Sequence, residues 1–174
     1  MTTSDGLALH RAEQPLHTVE IREVPEVPTV AVCVRDWRTA DMGHLMDTVF
    51  SQLPQALAHH GLEPAGPAYA LYHRMPVATA DIEVGFPVAA PAQVRLELDD
   101  DMVATPSRLP GGRVAVISHV GPYQGLAEAW GAFIAAVGER GERGALPFWE
   151  FYVTEPTPDL DPAEVRTDLV TLLA

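Results

Sequence analysis

At 174 residues the chain is long enough for one large domain or two small ones with a sizeable core. Its composition, 47% hydrophobic and 20% charged, is that of a globular protein and not of a disordered one. Eleven basic against 24 acidic side chains leave a net charge of −13, a field that repels phosphate backbones and anionic lipid and argues against nucleic-acid or membrane partners.

Residues 1–15 show no apolar period and read as a flexible tail, and Met1 to Asp5 lack the basic-then-apolar order of a secretory signal. The single domain expected over 16–174 divides into two repeats, about 16–98 and 99–174. Each repeat carries a Val-Ala-Val strand, Val30-Ala31-Val32-Cys33-Val34 in the first and Val114-Ala115-Val116-Ile117 in the second. A helix follows each. Met42, Leu45, Met46, Val49, Phe50, Leu53 and Leu57 recur at three- and four-residue steps, as do Leu126, Ala129, Trp130, Phe133, Ile134 and Val137. Gly61 and Gly141 are placed to stop them, and Pro54 is placed to kink the first. Two strands then complete each half, Ala68 to Arg74 with Asp81 to Val88, and Phe148 to Thr154 with Val165 to Leu172. The order β-β-α-β-β, twice, predicts an α+β fold with an antiparallel sheet and one long helix per half.

Within Pro147-Phe148-Trp149-Glu150-Phe151-Tyr152-Val153, a strand places Phe148, Glu150 and Tyr152 on one face and Trp149, Phe151 and Val153 on the other. Both faces are apolar, so Glu150 is a carboxylate in a buried strand, which is costly without a partner. Two solutions stand open: an arginine from elsewhere, such as Arg74 or Arg35, or a cationic aromatic ligand that docks against the rings. No Cys-x-x-Cys or His-Glu-x-x-His spacing is present, so neither a metal nor a cofactor is expected. Cys33 is the sole cysteine, which excludes an internal disulfide, suits a cytoplasmic protein and reads as a core thiol.

Three passages resemble the GyrI-like family, the effector-binding domains of multidrug-responsive transcription regulators and their stand-alone relatives. His119-Val120-Gly121-Pro122-Tyr123 resembles the family's His-x-Gly-Pro-Tyr turn, and Phe148-Trp149-Glu150-Phe151-Tyr152 its aromatic-Glu-x-Tyr strand. Asp81-Ile82-Glu83-Val84-Gly85-Phe86-Pro87-Val88 resembles the strand closing its first half. The resemblance implies a cleft between two related modules, lined by aromatic rings, in which Glu150 contacts lipophilic cations. It implies a stand-alone monomeric binder of aromatic small molecules, preferentially cationic. Two alternatives come with it: a hydrolase of cyclopropane-bearing DNA-alkylating toxins using Glu150 and Tyr152, and a protein that contacts gyrase. Candidate lining residues are Glu150, Tyr152, Phe148, Tyr72, Tyr123, Trp130, Met42, Met46, Trp37 and Glu83. Trp37 either caps the cleft or anchors a surface, and Glu83 is solvent-exposed by default with a second cleft carboxylate as the alternative.

Overall fold

The computed structural model describes residues 14–155 and 157–174, so the expected tail lies outside the described residues except for its last two positions. The strands are β1 (Glu20–Val24), β2 (Val27–Arg38), β3 (Ala68–Tyr72), β4 (Thr79–Pro87), β5 (Leu96–Glu97), β6 (Val103–Leu109), β7 (Gly112–Val120), β8 (Gly144–Tyr152) and β9 (Arg166–Leu173). Helix α1 (Met42–His59) follows β2, and α2 (Leu126–Glu139) follows β7. The expected α+β order is therefore present, with β5 as a short addition. No helix among the described residues is long and apolar enough to cross a membrane.

The strands form one nine-stranded sheet in the order β1-β7-β9-β8-β3-β4-β2-β6-β5, with antiparallel pairing throughout. Two connections dictate its curvature. Only Pro25 and Glu26 separate β1 from β2, and only Pro110 and Gly111 separate β6 from β7, although each pair lies far apart in the sheet order. The sheet must therefore bend until its two halves face each other. Its inner face is the core cluster that includes Val27, Ala31, Tyr69 and Leu71 from one half with Val114, Val116, Trp149, Phe151 and Val170 from the other.

Both helices lie on the outer face. Leu45, Val49, Leu53 and Leu57 of α1 pack on Val30, Val32, Ala70 and Val84, while Phe133 and Val137 of α2 pack on Ala115 and Leu169. The buried positions are those of the helical period, so the apolar stripe is what docks each helix. Pro54 sits within α1. Both helices end in the same way: Gly61 and Gly141 take φ of 70° and 74°, where a side chain would be strained. The following amides close the last turn, Leu62 N–H donating to Leu57 O at 2.9 Å and Glu142 N–H to Val137 O at 3.2 Å.

The repeat is offset by one residue from the alignment that the sequence suggests. Val30 packs under α1 and Ala115 packs under α2, which makes these two equivalent. Cys33 then matches Ser118, and their cross-strand partners Glu83 and Asp168 match each other. Matching Val30 to Val114 by residue type puts the two on opposite faces of the sheet.

Candidate ligand-binding site

Strands β3 and β8 join the halves at the centre of the sheet, where Ala70 pairs with Glu150 and Tyr72 with Phe148. The β alternation sends Trp149 and Phe151 into the inner core and turns Phe148, Glu150 and Tyr152 outward between the helices. Glu150 is only 6% exposed. Its Oε1 accepts from the Trp130 indole Nε1–H at 2.7 Å, and its Oε2 accepts from the Tyr152 hydroxyl at 2.7 Å. One donor comes from α2 and the other from the same strand, so the carboxylate is fixed in orientation by neutral groups. No cationic side chain among the described residues forms an ion pair with it. Arg74, a candidate partner from the sequence, is engaged by Asp36, Asp81 and Thr79 instead.

Rings surround this carboxylate. Phe148 stacks on Tyr72 with centroids 5.1 Å apart and meets Trp130 edge-on at 4.8 Å. Tyr152 packs against Phe50 of α1 at 5.4 Å and meets Tyr123 edge-on at 6.1 Å. Each such pair contributes about 0.5–1.5 kcal/mol beyond area burial, which makes the walls stiff. Tyr123 reaches this position because Gly121-Pro122 turns the chain sharply after β7, with Gly121 at φ 146°. It is 43% exposed and forms a solvent-facing edge of the cluster. Met46 of α1 lies 3.8 Å from the Tyr152 hydroxyl through its Sδ.

Burial pushes the Glu150 carboxyl above its ordinary range, against the lowering effects of the Trp130 and Tyr152 hydrogen bonds and the nearby His119. Burial likewise raises Tyr152, Tyr72 and Tyr123, and the charge of Glu150 raises all three further. A carboxylate of this kind can balance a desolvated cation or take a proton from water. The phenols stay protonated, and that of Tyr152 donates to Glu150.

The candidates from the sequence divide into two groups. Glu150, Tyr152, Phe148, Tyr72, Tyr123, Trp130 and Met46 come together at one place. Met42 and Trp37 pack against the core beneath α1, and the Trp37 indole donates to Asp41 O at 3.1 Å ahead of that helix. Glu83 requires a correction. It is buried, at 6% exposure, and it lies on the sheet face opposite Glu150. There it bonds the His73 imidazole at 2.7 Å and accepts from the Ser107 hydroxyl. The sheet's bend buries this face, and a single strand's sequence does not reveal a bend. Cys33 is corrected in the other direction: it is exposed and not a core thiol. Enough protein still crowds the sulfur for burial, with the charge of Glu83, to push its pKa up to about 12.

Two residues beside the site were not among the candidate lining residues, although His119 stood in the His-x-Gly-Pro-Tyr turn. His119, the next-to-last residue of β7, lies near Glu150, with Nε2 3.2 Å from Pro122 O. Thr167 pairs across the sheet with both Tyr152 and His119, is fully buried, and has no hydrogen-bond partner for its hydroxyl. Its signal was weak, since a threonine in an apolar strand is ordinary. Among the described residues no group of His, Cys, Asp and Glu side chains is arranged to hold a metal.

The architecture and the aromatic-walled acid define a small-molecule-binding domain. The GyrI-like small molecule binding domain matches residues 17–173, and the chain belongs to that family. The C-terminal domain of EcmrR superposes with a TM-score of 0.69 at 17% identity, covering 90% of this chain and 97% of that one. The chain spans only 57% of EcmrR in its DNA complex, where the TM-score is 0.71 at 18% identity over 90% of this chain. A hydrolase from Listeria innocua gives 0.63 at 14% identity, covering 93% of this chain and 94% of that one. SAV2435, solved with bound tetraphenylphosphonium, gives 0.59 at 8% identity, covering 90% and 93%. Such identities establish a shared fold. No curated protein sequence matches the chain.

Proposed function

We propose that the protein binds lipophilic aromatic cations, with Glu150 as the charge partner and the rings of Tyr72, Tyr123, Trp130, Phe148 and Tyr152 as the walls. One observation carries this reading: Glu150 is buried without a cationic partner among the described residues, yet it is held in place by two neutral donors. A core acid kept for stability gains from a buried arginine or from replacement by an apolar residue, whereas a receptor must leave its charge unmatched. The cation in SAV2435 has the matching chemistry, a delocalised positive charge wrapped in phenyl rings. Ring faces and one carboxylate impose few directional demands, so the specificity is broad.

The test is calorimetry with tetraphenylphosphonium and with a neutral tetraphenyl analogue of the same shape. Glu150→Gln is expected to cost the cation about 2–3 kcal/mol and to leave the neutral compound nearly unchanged. Equal losses for the two remove the electrostatic role.

A second reading is favoured by the raised Glu150 carboxyl beside the Tyr152 hydroxyl. In it, Glu150 takes a proton from water as that water forms a C–O bond to the cyclopropane carbon of an aromatic toxin; the strained C–C bond breaks, its electron pair passes into the conjugated ring system of the toxin, and that anion takes a proton from solvent. Consumption of such a substrate over many cycles, abolished by Glu150→Gln, separates this hydrolase from a receptor.

A further inference from the structure

A half-open groove of about 450 Å³ runs beside the aromatic cluster, between the β3–β4 hairpin and the C-terminal half of α2. Met75, Ile134, Gly138, Leu146 and Phe148 are among its walls. Its volume lies within the range of small-molecule sites, about 300–1,000 Å³. Met75, Ile134 and Leu146 are 66%, 45% and 50% exposed, so three of the few large apolar side chains that face solvent rim this one groove. Arg143 is an exposed cation at its edge, and two of its other polar groups have partners. The Thr171 hydroxyl donates to backbone carbonyl oxygen, and both Glu142 carboxylate oxygens accept from the Arg113 guanidinium. What the groove offers an occupant is mainly apolar surface, from Met75, Ile134, Leu146 and Phe148.

Phe148 ties this groove to Glu150. It is a wall of the groove, and it also packs on Trp130, whose indole holds the carboxylate. Along an extended strand, two residues separate Phe148 from Glu150 by about 7 Å. A molecule with its charge at Glu150 can cross the Phe148 ring and lay an apolar arm among Met75, Ile134 and Leu146.

We propose that this groove is the second compartment of the ligand site, and that it takes the apolar arm of an elongated amphiphile whose aromatic cationic head rests against Glu150. The inference rests on the receptor reading of Glu150 and adds to it the shape of the ligand: a charged aromatic head joined to an aliphatic or aryl arm. A compact cation fills one compartment only.

The experiment compares benzyltrimethylammonium with benzylhexyldimethylammonium by calorimetry, below the concentration at which the latter forms micelles. The hexyl arm is expected to tighten binding roughly tenfold, the gain from burying about two methylenes. Gly138→Phe supplies the blocking variant. A Cβ at Gly138 meets nothing within 4 Å, and the position lies in the last turn of a helix, so an added ring enters the groove without displacing core. This variant is expected to bring the hexyl compound within roughly threefold of the short one, with the short one unchanged. Glu150→Gln should weaken both. If the short cation binds through Glu150 but the hexyl arm adds nothing, or Gly138→Phe weakens both compounds equally, the groove proposal is overturned and the receptor reading survives. If neither cation binds the native protein, both fall together.

Discussion

Asp168 and Glu150 are neighbouring acids of the second half, one on each face of the sheet, and the fold treats them in opposite ways. Asp168 is fully buried, and Arg166 two residues earlier donates to it from Nε at 2.9 Å and from Nη2 at 3.0 Å, with the Ser118 hydroxyl adding a bond at 2.6 Å. Glu150 is almost as buried and receives only an indole N–H and a phenol. The first half sharpens the contrast. Glu83, the counterpart of Asp168, again has polar partners in His73 and Ser107. The counterpart of Glu150 is Ala70, its own cross-strand neighbour. An acid in the inner face is thus part of both halves, whereas the acid in the cleft occurs in one. The inner acids complete a structure. Among the described residues the outer one has neutral donors only.

Removing a charge from each environment should give unlike results. Arg166→Met takes the two-pronged guanidinium partner from a buried carboxylate and is expected to destabilise the protein by about 3–5 kcal/mol in urea unfolding. Glu150→Gln should cost no stability at pH 7. The amide oxygen can accept from Trp130 while its NH₂ donates to the Tyr152 oxygen, so both neighbours stay satisfied. The pH dependence follows from the raised carboxyl. The native state holds its proton above the ordinary value of 4.5, so this group's contribution is full below that value and is lost as pH rises through the folded pKa. Unfolding curves of the native protein and of Glu150→Gln should therefore converge below pH 4.5, with the variant gaining as pH rises. A variant that is less stable throughout would place Glu150 with Asp168, as a structural acid.

A smaller effect is expected from Tyr152→Phe, which removes one of the two bonds that favour the charged form. The empty site should then hold its proton to higher pH. If the protein binds cations as proposed, binding is expected to expel that proton, so affinity should rise with pH through the free-site pKa and level above it. The variant should show this rise displaced to higher pH, with about 1.5 kcal/mol, roughly tenfold, lost at neutral pH. An unchanged pH profile would show that Tyr152 packs the cleft without setting its charge.

Much of this was legible in the sequence because it depends on local period. The helical spacing from Met42 to Leu57 and the glycine that follows defined α1, and alternation alone placed Glu150, Tyr152 and Phe148 on one face. What escaped depends on how distant strands curve and meet. The burial of Glu83 needs the sheet to bend, and the exposure of Cys33 needs its neighbours across that face. Trp130 was placed on a helix facing the sheet, but its role as the donor to Oε1 depends on the position of α2 above β8. The Arg166–Asp168 pair did leave a signal. Opposite charges two apart share a strand face, and in an apolar strand such a pair is a buried ion pair.

The smallest expected effect concerns Thr167, whose hydroxyl is fully buried and unpartnered beside Tyr152 and His119 on the cleft side of the sheet. A buried hydroxyl without a partner costs stability, and valine has the same branched shape and the same preference for strands. Thr167→Val should therefore stabilise the protein by about 1 kcal/mol, seen as a rise of roughly 2–4 °C in Tm for a chain of this size. The comparison between the two acids gives this measurement its use. If the hydroxyl belongs with the inner acids as part of a completed structure, its removal must expose a broken bond and lower Tm. If it belongs with Glu150, Tm rises in the empty protein while cation affinity falls, because a group left unmatched in the free state is matched in the bound one. A rise in Tm with unchanged affinity would assign Thr167 to neither.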